Sequence, residues 1–73
     1  MYYITNYTHG EEGYWEACGS ETLRGAKAAA TRRLSRAGYV DSELRVGVGG
    51  GDDGPISVVA YRRHGGRWVD VDY

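Results

Sequence analysis

The sequence predicts an α+β fold: an antiparallel sheet of about four to five strands with one helix packed on one face, in the order β-β-α-β-β-β. Three observations predict it. Aromatic and β-branched residues gather in short runs, "YYITNYT", "ELRVGV", "ISVVAYRR" and "RWVDVDY", several with period-two alternation. Glycine-rich stretches, "HGEEG", "GGGDDGP" and "HGG", punctuate those runs where turns are needed. Only residues 21–37 carry helical periodicity, and laying one helix on one face of a sheet is the simplest way to bury its stripe. With 73 residues the chain is one domain, 1–73. At this size only about three-fifths of the unfolded surface can be buried, so the core is small.

Taken in order, "YYITNYT" (residues 2–8) and "YWEAC" (14–18) pair as a hairpin across "HGEEG". Ser20 is the predicted N-cap of a helix from about Glu21 to Ala37, with Glu21 in the first turn and Gly38 as the C′ residue. Leu23, Ala26, Ala30, Leu34 and Ala37 fall within about 80° of arc, an apolar stripe built mostly of alanine that lets the helix lie close to the sheet. Arg24, Arg32 and Arg36 project from the opposite side, flanked by Lys27 and Arg33. In "ELRVGV", Leu44, Val46 and Val48 share one side, and Arg45 and Gly47 the other. Residues 49–55 form an acidic glycine-rich connection, and "ISVVAYRR" pairs with "RWVDVDY" across "HGG". Alternation in that last strand predicts Val69, Val71 and Tyr73 toward the helix, leaving Trp68, Asp70 and Asp72 on the outer face. Trp68 is then either an exposed anchor beside Arg67, Arg63 and Tyr61 or a cap on the edge of the core.

Composition narrows the function. The chain has no Phe, one Met and one Pro, but seven Tyr and two Trp, so its large apolar area comes from rings that also serve at interfaces. Cys18 is the single cysteine, which rules out an intrachain disulfide and a thiolate zinc cluster. The N-terminal stretch has neither the basic nor the apolar region of a signal peptide, and no apolar run is long enough to span a bilayer, so a soluble cytosolic protein is expected. Net charge is −1. Its distribution is uneven: residues 20–37 carry +4, between acidic segments 1–19 and 38–55 of −3 each, a polarised surface.

Catalytic equipment is thin. His9 and His64 each lie beside glycines in predicted turns, no His stands at metal-ligand spacing from another, and Cys18 reads as a small hydrophobe in a strand. "GVGGGDDG" lacks the following helix and the Lys of a phosphate cradle, and lacks the carboxylate spacing of a calcium loop. The expectation is a protein that is not an enzyme and carries no cofactor or metal. Two cationic patches remain, the helix face and "YRRHGGRW", where Tyr61 and Trp68 are interleaved with arginines. Such patches can contact phosphates and stack on bases, or dock an acidic protein partner.

The stretches "WEACGSETLRGAK", "ELRVGV" and "YRRHGGRWVD" resemble small phage-encoded anti-CRISPR proteins, in particular a type I-F inhibitor that binds the Cascade surveillance complex; type I-C inhibitors are similar in size and class. The likeness touches most of residues 14–72 and is closest at Ala26-Lys27 and Arg67-Trp68-Val69-Asp70. It implies a stoichiometric inhibitor in the cytoplasm of the bacterial host, seated on the backbone or large subunit of type I Cascade and blocking target DNA binding. Carried over residue by residue, it makes Lys27 and Arg32 helix contacts to the backbone subunit, Arg67 the arginine before the Trp, and Arg62 the place of a cation that holds non-target DNA; a non-specific DNA contact is a further expectation. The acidic loop at 49–55 and Leu34 depart from the pattern, which opens the partner subtype and the footprint. The residues expected at the partner are Lys27, Arg32, Arg36, Arg62, Arg63, Arg67 and Trp68. The alternative is a small nucleic-acid-binding or regulatory module using the basic helix face. Membrane association is not expected, and both a monomer and a homodimer through an edge strand are compatible with the sequence.

Overall fold

The β-branched and aromatic runs form strands in the computed structural model, which is described over residues 1–39, 42–49, 55–63 and 65–71. β1 (Tyr2–Thr8), β4 (Glu43–Gly49) and β5 (Ile56–Arg62) are the three long strands, joined by the short β2 (Glu11–Glu12), β3 (Glu16–Ala17) and β6 (Trp68–Asp70). All pairings are antiparallel, in the order β2-β1-β4-β5-β6, with β3 also paired to β1. The single helix α1 (Leu23–Arg36) covers one face. This is the α+β architecture the periodicities predict.

The helix begins later than expected because Thr22, not Ser20, caps it. Thr22 Oγ1 accepts from the Gly25 N–H at 3.1 Å, while the Ser20 hydroxyl is used one turn earlier, against the backbone of Thr22. Glu21 therefore precedes the helix. At the other end Gly38 takes φ 93°, its N–H bonds to the Ser35 carbonyl, and the Tyr39 N–H reaches back to the Leu34 carbonyl at 2.9 Å. Those two bonds make a Schellman motif, the stop predicted at Gly38.

The core lies between α1 and the sheet. Ala26, Ala29, Ala30 and Leu34 meet Ile4, Leu44, Val46, Val59 and Ala60, all buried, with Tyr2, Leu23, Val48 and Trp68 packed at its margin. Ala37, predicted in the stripe, is exposed. The alanine surface brings helix and sheet close without large side chains, as expected from the stripe. A bulge between Val46 and Gly47 leaves Val59 without a direct partner in β4, so that Val59 and Ala60, consecutive in β5, are both buried.

Three local expectations are corrected. The second arm of the first hairpin is not continuous: it splits into β2 and β3, with Gly13 to Trp15 arched between them. The Gly13 N–H bonds to the Asn6 carbonyl at 2.8 Å and the Thr5 hydroxyl donates to the Tyr14 carbonyl at 2.9 Å, so side chain and backbone replace the missing rungs. Cys18 is buried just after β3 rather than within a strand. In β6 the faces are the reverse of those predicted. Trp68 pairs with Arg62 and Asp70 with Ala60, on the helix side, whereas Val69 pairs with Tyr61 on the uncovered face and is 44% exposed. Trp68 packs at the core edge and Asp70 meets Lys27 of the helix. The expectations for Tyr73, Asp72, His64 and the acidic connection at 50–54 fall outside the described residues.

Candidate functional site

The residues expected to bind a partner do not form one surface. Arg32 and Arg36 lie together with Arg24 on the exposed side of α1. Lys27 is tied at the helix flank, its Nζ 2.6 Å from Asp70 Oδ1. Arg62 serves the β5–β6 connection, where its Nε donates to the Gly66 carbonyl at 3.0 Å, and Arg67 is exposed in the same connection. Trp68 fills the core edge. Arg63 projects from the face that the helix leaves bare. Arg33, a predicted flank, donates to the carbonyls of Ala17 and Cys18 and so holds the end of β3 against the helix.

The bare face has an organisation that the sequence did not disclose. Odd-numbered residues of β1 and β4 point there by strand alternation, which gathers Tyr3, Thr5, Tyr7, Glu43 and Arg45. Arg45 is held from three sides: Nε donates to Glu43 Oε2 at 2.5 Å, Nη1 lies 3.3 Å from Glu12 Oε2, and the guanidinium sits 3.9 Å from the centroid of the Tyr7 ring. Glu12 also accepts from the Trp15 indole N–H at 2.8 Å. At the other side of Glu43, Arg63 Nε stands 3.4 Å from Oε1, and its guanidinium lies over Tyr61 at 5.4 Å.

Exposure separates the roles within this chain of charges. The Arg45 and Glu43 side chains are 23% and 17% exposed, fixed parts of the surface, while that of Arg63 is 78% exposed and free to turn toward a partner. An open groove of about 280 Å³ runs between Glu43, Arg45, Val58, Tyr61 and Arg63. Trp15 and Ile56 lie across Gly47, where the absence of a side chain makes room for both. Among the described residues no group of three or more His, Cys, Asp or Glu is placed to hold a metal ion, and no helix is long and apolar enough to cross a membrane.

The sequence placed Arg45 opposite the core and Tyr61 near Arg63, but it gave no sign that Glu12 and Tyr7 would meet Arg45. That contact depends on register between β1, β2 and β4. The fold and its surfaces together define a single-helix antiparallel α+β domain with a basic helix face on one side and a charge-balanced aromatic sheet face on the other. No protein-family model, curated protein or solved structure matches the chain.

Proposed function

We propose that the protein is a stoichiometric, non-catalytic inhibitor that docks on a type I Cascade complex and blocks target DNA binding. The observation that carries this proposal is the exposed basic side of α1. Arg24, Arg32 and Arg36 protrude there with no ionic partner among the described residues, so their charge is available to an acidic protein patch or to a guide RNA backbone. The anti-CRISPR resemblance supplies the partner class. Its two closest stretches meet in the fold, since Lys27 pairs with Asp70 and both Ala26 and Trp68 belong to the same core. This supports a likeness in packing between the helix and the last strand, and it leaves Arg32 and Arg36 as the contacts expected to act on the partner.

The test is target-duplex binding by purified Cascade with and without the protein. The expected result is co-elution with the complex and loss of DNA binding, both weakened by the R32A/R36A double variant at unchanged stability. Undiminished DNA affinity together with no co-elution rejects the proposal. The same basic face favours one other function, direct nucleic-acid binding. That alternative requires a gel shift at low salt that weakens steeply as salt rises.

A further inference from the structure

We propose that the bare sheet face is a homodimer interface, two copies packing face to face about a two-fold axis that runs along the strands. This inference uses the surface opposite the basic helix face and stands apart from the proposed function.

The face excludes strongly charged partners because its own charges are balanced. Glu12, Arg45, Glu43 and Arg63 form one alternating chain of contacts with two carboxylates and two guanidinium groups. Around them are Tyr3, Tyr7, Trp15, Ile56, Val58 and Tyr61, all half-buried, and Val69, which is exposed. A neutral face rich in aromatic rings resembles the centre of a protein interface more than it does a site for a polyanion or a polycation.

The order of the charges points to the occupant. Tyr7 is directly opposite Glu12 on one side and Glu43 on the other, and Glu43 in turn meets Arg63. One row across β2, β1 and β4 therefore runs Glu12, Tyr7, Glu43, and Arg63, the residue after β5, extends it through its contact with Glu43. An isologous interface must be complementary to itself. A two-fold axis along the strands reverses the order of this row in the second copy. Glu12 then faces Arg63 of the second copy, Tyr7 faces Glu43, Glu43 faces Tyr7, and Arg63 faces Glu12. Every position meets a partner of matching chemistry: two ion pairs outside, and two phenol O–H groups donating to carboxylates inside. An axis across the strands that passed through this row would instead set Glu12 on Glu12 and Arg63 on Arg63, which like charges disfavour.

The area fits a weak dimer. The axis lies midway between β1 and β4, so the four strand positions of the row overlap; at about 4.8 Å each, and with at most seven residues of about 3.3 Å rise, they give a face of roughly 19 by 23 Å. Two such faces remove on the order of 900 Å² from solvent, at the small end of the scale where interfaces are weak and transient. Sheet faces pack about 10 Å apart, a gap that tyrosine and tryptophan side chains fill. Both basic helix faces stay on the outside, pointing away from each other, so the pair is bivalent toward any partner of α1.

The experiment is sedimentation velocity on the full chain from about 10 µM to about 1 mM, the range expected for an interface of this size. Wild type should move from the mass of one chain to that of two. Glu12→Arg and Arg63→Glu should each weaken the dimer about tenfold or more, because each reversal spoils both symmetric ion pairs. Mixing the two variants should restore it, since the cation at position 12 of one chain then meets the anion at position 63 of the other. Within a single chain neither reversal is relieved by mixing, so recovery can come only from contacts between chains. Circular dichroism checks the fold of each variant; Glu12→Gln and Arg63→Gln, which remove charge without reversing it, provide a second pair that should each weaken the dimer by a smaller factor. A wild type that stays monomeric at the highest concentration overturns the proposal and leaves the face to a partner of another sequence. A mixture that fails to recover while wild type dimerises overturns the packing.

Discussion

Gly47 is a position where adding one methyl group should be costly, and it tests how the bare face is built. A Cβ placed there overlaps Ile56 Cγ2, stands 3.0 Å from Trp15 Cη2 and lies 3.1 Å from the Ser57 carbonyl oxygen. The two side chains can shift, but Ser57 is backbone within β5 and paired to Val48, so it cannot retreat without disturbing the ladder. Overpacking of this kind costs about 1–3 kcal/mol, against which the smaller unfolded-state entropy of alanine returns about 0.4–1 kcal/mol. The net expectation for Gly47→Ala is a loss of about 1–2 kcal/mol. At about 4–8 °C per kcal/mol for a domain of this size, Tm should fall by roughly 5–15 °C. The assay is thermal and urea unfolding followed by far-ultraviolet circular dichroism. Ile56→Ala removes the overlapping methyl, so G47A/I56A should be less destabilised than the sum of the singles by about 0.5 kcal/mol or more. A Gly47→Ala protein as stable as wild type, or strict additivity in the double variant, would refute the claim that Trp15 and Ile56 close over this glycine.

Two further predictions concern the fold. Trp68→Ala should destabilise by about 1.5–3 kcal/mol, since the ring is half-buried at the core edge, whereas Val69→Ala should stay within about 0.5 kcal/mol; urea unfolding of the two variants side by side decides which face of β6 lies under the helix. Gly38→Ala places a Cβ at a φ of 93° and should cost about 1–2 kcal/mol of stability, read as a lowered unfolding midpoint with an unchanged slope on denaturant.

The parts of the fold that rest on local periodicity were legible in the sequence. The stripe of Leu23, Ala26, Ala30 and Leu34, the stop at Gly38 and the division of "ELRVGV" into Leu44, Val46 and Val48 against Arg45 and Gly47 all depend on neighbours within one element. What depended on pairing between elements was not legible. Ser20 and Thr22 are both competent caps, and the choice fell to Thr22 because the Ser20 hydroxyl is consumed by the backbone of residue 22. The arch at Gly13 to Trp15 arises because Gly13 passes over Asn6, where a Cβ would strike the Asn6 amide oxygen. The candidate surface fared likewise. The exposed side of α1, with Arg32 and Arg36, followed from helical spacing, while the contacts of Arg45 with Glu12 and Tyr7 bring together three segments through strand register. Alternation gives two faces to every strand but does not say which one a helix will cover.

Strand β6 illustrates how that choice is made and what it means for function. With valine inside, Val69 and Val71 would sit beneath a helix of alanines, and the Trp68 ring would stand in water beside Tyr61. With Trp68 inside, covering about two-thirds of a ring of roughly 200 Å² contributes on the order of 3 kcal/mol. Lys27 and Asp70 then add a flank ion pair, about 0–1 kcal/mol for so exposed a contact. Val69 gives up little, because on the bare face it still lies opposite Tyr61 and keeps more than half of its surface covered. The alanines of α1 and Ala60 of β5 leave room for one large side chain at this edge, and tryptophan fills it better than valine. The observed parity therefore wins on packing before any question of binding arises. It follows that Trp68 belongs to the stability of the domain, and that losing a partner on mutating it would not separate binding from unfolding. Arg32 and Arg36, exposed and with no ion pair or hydrogen bond among the described residues, can be changed without touching the core, and a partner lost there would be lost at the surface itself.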